Sequence, residues 1–137
     1  MSIRTSYDLG DRLIDFSVLI MDIVEVLPSN RIGNHIGHQL LRSGTSAAPN
    51  HAEAQSGESR RDFVHKLKLA LKELRETVVW LKIIRQKHLV ESTHLVEKAL
   101  TECDELIAIM VTSIATATRK IRIDEVNNEQ PTFNIQR

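Results

Sequence analysis

The 137-residue sequence is poor in cysteine, proline, glycine and aromatic residues. It contains one cysteine, three prolines, five glycines, one tryptophan, one tyrosine and three phenylalanines. Because Cys103 is the only cysteine, no internal disulfide can form, and a reducing compartment is favoured. Its position on an apolar helix stripe predicts a small core residue rather than a reactive thiol.

Net charge is also lacking, since 18 basic residues balance 18 acidic ones. No field of the whole molecule therefore draws it to nucleic acid or anionic lipid. The balance is local, however: Asp8 to Leu27 has five acids and one base, and Gly57 to His88 has nine bases and four acids. We therefore expect any electrostatic partner to be local, or to be another copy of this chain.

Long apolar runs are absent, because charged residues interrupt them every few positions. This excludes a membrane span, and the first residues lack the apolar centre of a signal peptide. The sequence predicts one cytoplasmic domain, since the length suits a single core.

The stretch from Ser59 to His88 has the pattern of one long amphipathic helix. Its apolar seam is Phe63, Leu67, Ala70, Leu74, Thr77, Leu81, Ile84 and His88. The opposite face is mainly basic and consists of Arg61, His65, Lys68, Lys72, Arg75, Val79, Lys82 and Gln86. Trp80 near the end favours a buried anchor over an exposed stacking platform.

A first helix is predicted from a cap at Asp8 to Leu27, where Pro28 ends it. Its apolar surface is wider than one bundle core needs, which indicates a second buried contact, for instance between subunits. The seam is Leu9, Leu13, Phe16, Ile20, Ile23 and Leu27, and the additional apolar residues are Ile14, Val18, Leu19, Met21, Val24 and Val26.

A second helix follows Ser29 and Asn30, with a predicted kink at Pro49. Pro49 would leave the carbonyl of Thr45 without a backbone donor, and the hydroxyl of Thr45 or Ser46 would compensate. A polar ladder at helical spacing predicts that it continues past Gly44. The ladder is interpreted as buried hydrogen bonds that fix helix register, with a small polar site as the alternative. Its members are Gln39, Ser43, Ser46, Asn50 and Glu53.

A fourth helix is predicted from Thr93 to Lys120, and residues 121–137 are expected to form a non-helical tail because of Asn127, Asn128 and Pro131. The sequence therefore predicts an all-α fold, an antiparallel up-down-up-down four-helix bundle over residues 1–120 with a kinked second helix.

No complete catalytic, metal or cofactor constellation is present, so no enzyme is predicted. His35 and His38 share a helix face, and His51 with Glu53 follows. The sequence fixes no third metal ligand for the histidine pair, and solvent-facing histidines are favoured. Ser43, Thr45 and Ser46 lack the strand-to-helix elbow of a nucleophile. The best candidate nucleic-acid site is Arg61, Lys68, Lys72, Arg75 and Lys82, although a solvated charged face is the simpler interpretation.

The segments Gln39–Ser46 and Asp62–Leu81, together with Asn50 and Glu53, resemble the bacterial four-helix-bundle proteins encoded in 23S ribosomal RNA intervening sequences. The resemblance covers about Asp8 to Lys120 and implies a homopentamer around a central channel. It also extends to the accessory proteins of diversity-generating retroelements, which implies RNA or DNA and a reverse transcriptase as partners. Those accessory proteins are strongly basic, whereas this chain is neutral, which disfavours nucleic-acid binding. The favoured function is a homo-oligomeric scaffold or partner-binding module.

Overall fold

The computed structural model describes the backbone of residues 8–135 and the side chains of residues 8–129. Five α-helices lie in this part of the chain: α1 (Leu9–Glu25), α2 (Arg31–Gly44), α3 (Ala47–Gln55), α4 (Arg60–Lys87) and α5 (His94–Ile135). No strand occurs among residues 8–135. The prediction of an all-helical fold is confirmed.

Side-chain caps begin three of the helices where the sequence places them. Asp8, Asn30 and Ser59 each accept a hydrogen bond from the backbone N–H three residues later, at 2.8, 2.9 and 3.1 Å. Each bond satisfies an N–H group that has no partner within the helix. The other end of α4 is closed by His88, whose left-handed backbone (φ 57°, ψ 48°) stops the helix.

In place of one kinked second helix, the structure has two helices, α2 and α3, separated at Thr45 and Ser46. Pro49 has no N–H to donate to the carbonyl of Thr45, which weakens the helix at this point. The backbone N–H of Ser46 turns to the carbonyl of Ser43 at 3.4 Å, while its hydroxyl donates to the carbonyl of Arg42 at 2.7 Å. The Ser46 hydroxyl therefore replaces a backbone donor at the carbonyl of Arg42, whereas the sequence predicts such compensation at the carbonyl of Thr45.

The core lies where α1, the α2–α3 pair, α4 and α5 meet, so that α2 and α3 together occupy one position of a four-helix bundle. The seam predicted for α4 is buried from Leu67 to Ile84, and His88 is exposed. Each fully buried leucine or isoleucine contributes about 1.5–3 kcal/mol relative to an exposed one. The largest fully buried side chains are Leu13, Phe16, Ile20, Ile23, Leu40, Leu67, Leu74, Leu81, Ile84, Val96, Leu106 and Met110.

Ion pairs show how α4 and α5 lie together. Arg60 at the start of α4 pairs with Asp124 near the end of α5, whereas Arg85 at the end of α4 lies 3.2 Å from Glu97 at the start of α5. This is the contact pattern of two helices that run in opposite directions.

The non-helical tail predicted from Ile121 differs from the structure, because α5 continues to Ile135. Asn127 and Asn128 are only moderately poor helix formers, and no glycine ends the helix before them. Pairing of Arg60 and Arg61 with carboxylates of this segment also ties it to α4. Propensity alone therefore gave the wrong prediction over residues 121–135.

Candidate interaction surfaces on α1 and α4

All five side chains of the predicted nucleic-acid site are exposed on α4. Arg61, however, pairs with the carboxylate of Glu125 on α5. The other four have no ion pair with any residue that the structure describes. They lie on one helix face together with exposed apolar side chains, and we call this set the α4 outer face: Lys68, Lys72, Arg75, Val79, Lys82 and Ile83.

Apolar side chains on the α4 outer face lie among these cations. Val79 is 54% exposed and Ile83 is 38% exposed, and both line a shallow groove with Lys82 and Lys87. Ile83 and Lys87 could not be predicted from the basic pattern because they lie beside the predicted nucleic-acid site rather than within it. A surface with both cations and apolar groups suits a protein partner better than a purely basic surface does.

The acidic residues beside the α4 outer face are occupied by other partners. Glu73 and Glu76 both bind the guanidinium of Arg42 on α2, with 3.1 Å between Arg42 Nη1 and Glu73 Oε1. The half-buried Trp80 also donates from Nε1 to Glu76 at 3.0 Å, and its ring meets that of His35 edge-on at 6.2 Å. These carboxylates therefore do not neutralise the cations of the α4 outer face.

The first helix presents a surface of the opposite sign. Arg12, its only base, faces α5 and lies 2.7 Å from Glu102 and 3.0 Å from Glu105, so the hydrogen bond to Glu102 raises its pKa. Three exposed carboxylates remain without an ion pair to any described residue. We call their surroundings the α1 outer face: Ile14, Asp15, Val18, Met21, Asp22 and Glu25.

Exposed apolar area on the α1 outer face is large. Ile14, Val18 and Met21 are 56%, 50% and 45% exposed, and they recur at steps of four and three residues, so they form one stripe. Single exposed apolar residues are ordinary, but a continuous stripe indicates a contact surface.

The polar ladder predicted as buried is mostly not buried. Only Ser43 is fully enclosed, where it meets the hydroxyl of Thr77 on α4 at 2.9 Å. Glu53 is exposed and binds Lys66 of α4 at 2.6 Å. The remaining members, Gln39, Ser46 and Asn50, are half-buried and make hydrogen bonds within their own segment. The break between α2 and α3 explains the difference, because it interrupts the helical face on which the prediction depended.

The histidines do not converge. His35 and His38 are exposed, whereas His51 is buried and lies 3.2 Å from the amide nitrogen of Gln55. The expectation of a solvent-facing side chain is wrong for His51, and its burial lowers its pKa. Within residues 8–129, no three side chains of His, Cys, Asp or Glu are grouped closely enough to hold a metal ion.

Cys103 is fully buried, and its thiol lies 3.3 Å from the carbonyl oxygen of Leu74. Burial raises the pKa of Cys103 to about 12, so the thiolate is negligible at neutral pH. The prediction of a small core residue is confirmed. In the described part of the chain, no helix combines the length and apolar character that crossing a membrane requires.

Comparison with known proteins agrees with this all-helical architecture. A crystal structure of a protein of unknown function from the S23 ribosomal protein family of Bacteroides thetaiotaomicron is similar, with 30% identity and a TM-score of 0.72. The similarity covers 78% of this chain and 98% of that one. No curated protein matches the chain. The family model of the 23S rRNA-intervening sequence protein matches residues 7–112, and the chain therefore belongs to that family.

Proposed function

We propose that this protein is a non-enzymatic homo-oligomer, a homopentamer as the resemblance implies, that serves as a scaffold or partner-binding module. The observation that carries the proposal is the exposed apolar stripe of Ile14, Val18 and Met21 on α1. Water contact at these side chains is unfavourable, and covering them with another copy removes the cost.

Hydroxyl groups near the histidines support a structural role. Thr45 donates to the carbonyl of Leu41 at 2.6 Å, and Ser46 donates to the carbonyl of Arg42 at 2.7 Å. Ser43 is enclosed in the core. Hydroxyls that satisfy backbone carbonyls next to a helix break have a structural task of their own, which favours a binding module over a hydrolase.

The test is a mass determination by sedimentation velocity and light scattering at micromolar concentration. We expect a single species at five times the chain mass of 15.6 kDa. A different multiple would contradict the pentamer alone. A monomer at this concentration would contradict the homo-oligomer itself.

An alternative function is nucleic-acid binding by α4, with RNA or DNA and a reverse transcriptase as partners, as the resemblance to the retroelement accessory proteins implies. The observation that favours it is the absence of ion pairs at Lys68, Lys72, Arg75 and Lys82 among the described residues.

Fluorescence anisotropy with single-stranded RNA and duplex DNA at several salt concentrations tests this alternative. Four phosphate contacts predict a slope of about −3.6 for log K against log salt on duplex DNA. Reversing Lys68, Lys72 and Arg75 to glutamate should remove most of the binding, whereas Lys98→Glu on α5 should not. A salt-independent affinity, or no effect of the triple reversal, would refute it.

A further inference from the structure

We infer that the α4 outer face of one copy binds the α1 outer face of the next copy, with lysines opposite carboxylates. The inference rests on the proposed homo-oligomer and adds which surfaces meet. The occupant of each surface is a second copy of this chain.

Charge complementarity is the first argument. Several cations of the described chain are paired within the molecule, as in the pairs of Arg12 with Glu102, Arg42 with Glu73 and Arg60 with Asp124. Four cations of the α4 outer face and three carboxylates of the α1 outer face are not paired in this way. Opposite potentials on two surfaces of one chain steer copies together and set their register.

The apolar side chains give a second argument. Val79 and Ile83 lie among the cations, and Ile14, Val18 and Met21 lie among the carboxylates. An interface with an apolar centre and charged surroundings has this composition. A phosphate backbone would leave Val79 and Ile83 without an apolar partner, so a nucleic acid fits the α4 outer face less completely.

The positions of the helices make the contact intermolecular. Both α1 and α4 pack chiefly against α2, α3 and α5, so they occupy diagonal positions of the bundle. Their outer faces therefore lie on opposite sides of one molecule. Two different surfaces in contact form a heterologous interface, which closes into a ring when the rotation between copies permits.

The two faces also have similar lengths. At about 1.5 Å per residue, the α1 outer face from Ile14 to Glu25 spans about 17 Å, and the α4 outer face from Lys68 to Ile83 spans about 23 Å. One helix face can thus cover the other along most of its length, with about three turns of each helix in contact.

The experiment reverses charge on each face separately and then on both faces of the same chain. The first variant carries Lys68→Glu, Lys72→Glu and Lys82→Glu, and the second carries Asp15→Lys and Asp22→Lys. All five side chains are exposed and make no ion pair with a described residue, so both variants should fold. Circular dichroism checks the fold, and sedimentation velocity over a concentration series measures assembly.

Each single-face variant should raise the dissociation constant of the assembly about a hundredfold or more, because it places like charges opposite each other. The chain that carries all five substitutions should recover assembly, since its α4 outer face is then negative and its α1 outer face positive. A matched control, Asp104→Lys with Arg119→Glu on the exposed surface of α5, should assemble as the wild type does.

The inference is overturned if the wild type assembles but both single-face variants assemble equally well, or if the combined variant assembles no better than they do. Those results leave the proposed homo-oligomer intact, whereas a monomeric wild type removes it. Loss of nucleic-acid binding without loss of assembly in the α4 variant would assign that face to nucleic acid and would also overturn the inference.

Discussion

Replacing Thr77 by valine removes one hydroxyl from the core while keeping the shape of the side chain. In the wild type, Thr77 lies 2.9 Å from the hydroxyl of Ser43 and 2.8 Å from the carbonyl of Glu73, and both hydroxyl residues are fully buried. After Thr77→Val, the only remaining hydrogen-bond partner of the Ser43 hydroxyl among the described residues is the carbonyl of Leu40 at 3.5 Å. That distance is too long for a good O–H···O bond.

The magnitude follows from which group is left unsatisfied. Thr77→Val strands a buried hydroxyl and should lower the free energy of unfolding by about 1–3 kcal/mol. Ser43→Ala should cost less, about 0.5–1.5 kcal/mol, because Thr77 keeps the carbonyl of Glu73. The double variant should lose less than the sum of the two, since neither partner remains to be stranded.

Urea unfolding followed by circular dichroism measures these differences. A loss of about 2 kcal/mol shifts the midpoint by about 1 M urea. Protein concentration must be the same for all variants, because dissociation of an oligomer adds to the apparent stability. Thr112→Val on the exposed surface of α5 is the control and should change stability by less than about 0.5 kcal/mol. Additive losses, or a larger loss for Ser43→Ala than for Thr77→Val, would refute the reasoning.

Three further predictions concern pH, the α1–α2 turn and the thiol. Burial lowers the pKa of His51 below 6.5, so the unfolded chain binds the proton more readily and the free energy of unfolding should fall as the pH drops below 6.5. In urea titrations at several pH values, His51→Gln should flatten this dependence, and an unchanged slope for His51→Gln would contradict this prediction. Gly33→Ala should lower the free energy of unfolding by about 2 kcal/mol or more, because its methyl group would lie 1.9 Å from a backbone carbonyl oxygen. Gly37→Ala, whose methyl group would meet a flexible side-chain tip at 3.3 Å, should cost less than about 1 kcal/mol. Thermal melts of both variants measure the difference, and equal losses of stability would refute the argument. Cys103, with its pKa of about 12 and no exposure, should react with a thiol reagent at pH 8 only after urea is added; rapid labelling of the folded protein would show otherwise.

Much of the fold could be predicted from the sequence because helix periodicity is a local signal. Leu67, Leu74 and Leu81 are buried at the positions that the pattern on α4 assigns, and Lys68 and Lys72 are exposed between them. The helix caps are similarly local, since the capping side chain and its donor are three residues apart.

Features that depend on distant contacts could not be predicted in this way. Arg61 pairs with Glu125, which is 64 residues away in the sequence. Its charge is therefore neutralised within the molecule, unlike those of the other residues of the predicted nucleic-acid site. The buried position of His51 depends on packing between α3 and α1, where its ring lies near Gly10. Helix continuation past Ile121 also depends partly on a contact with α4, which no local propensity includes.

Formal neutrality of the chain gives an incomplete guide to its partners. Opposite charges cancel in the sum of 18 and 18, but a surface acts on a partner through the charges that remain unpaired near it. Ion pairs such as those of Arg12 and Arg42 remove charges from the surface locally. Among the charges that remain, four cations lie on the α4 outer face and three carboxylates lie on the α1 outer face, each beside exposed apolar side chains. For this chain, the pattern of internal pairing therefore indicates the partner better than the net charge does, and it favours a surface of the same protein over a uniformly charged polymer.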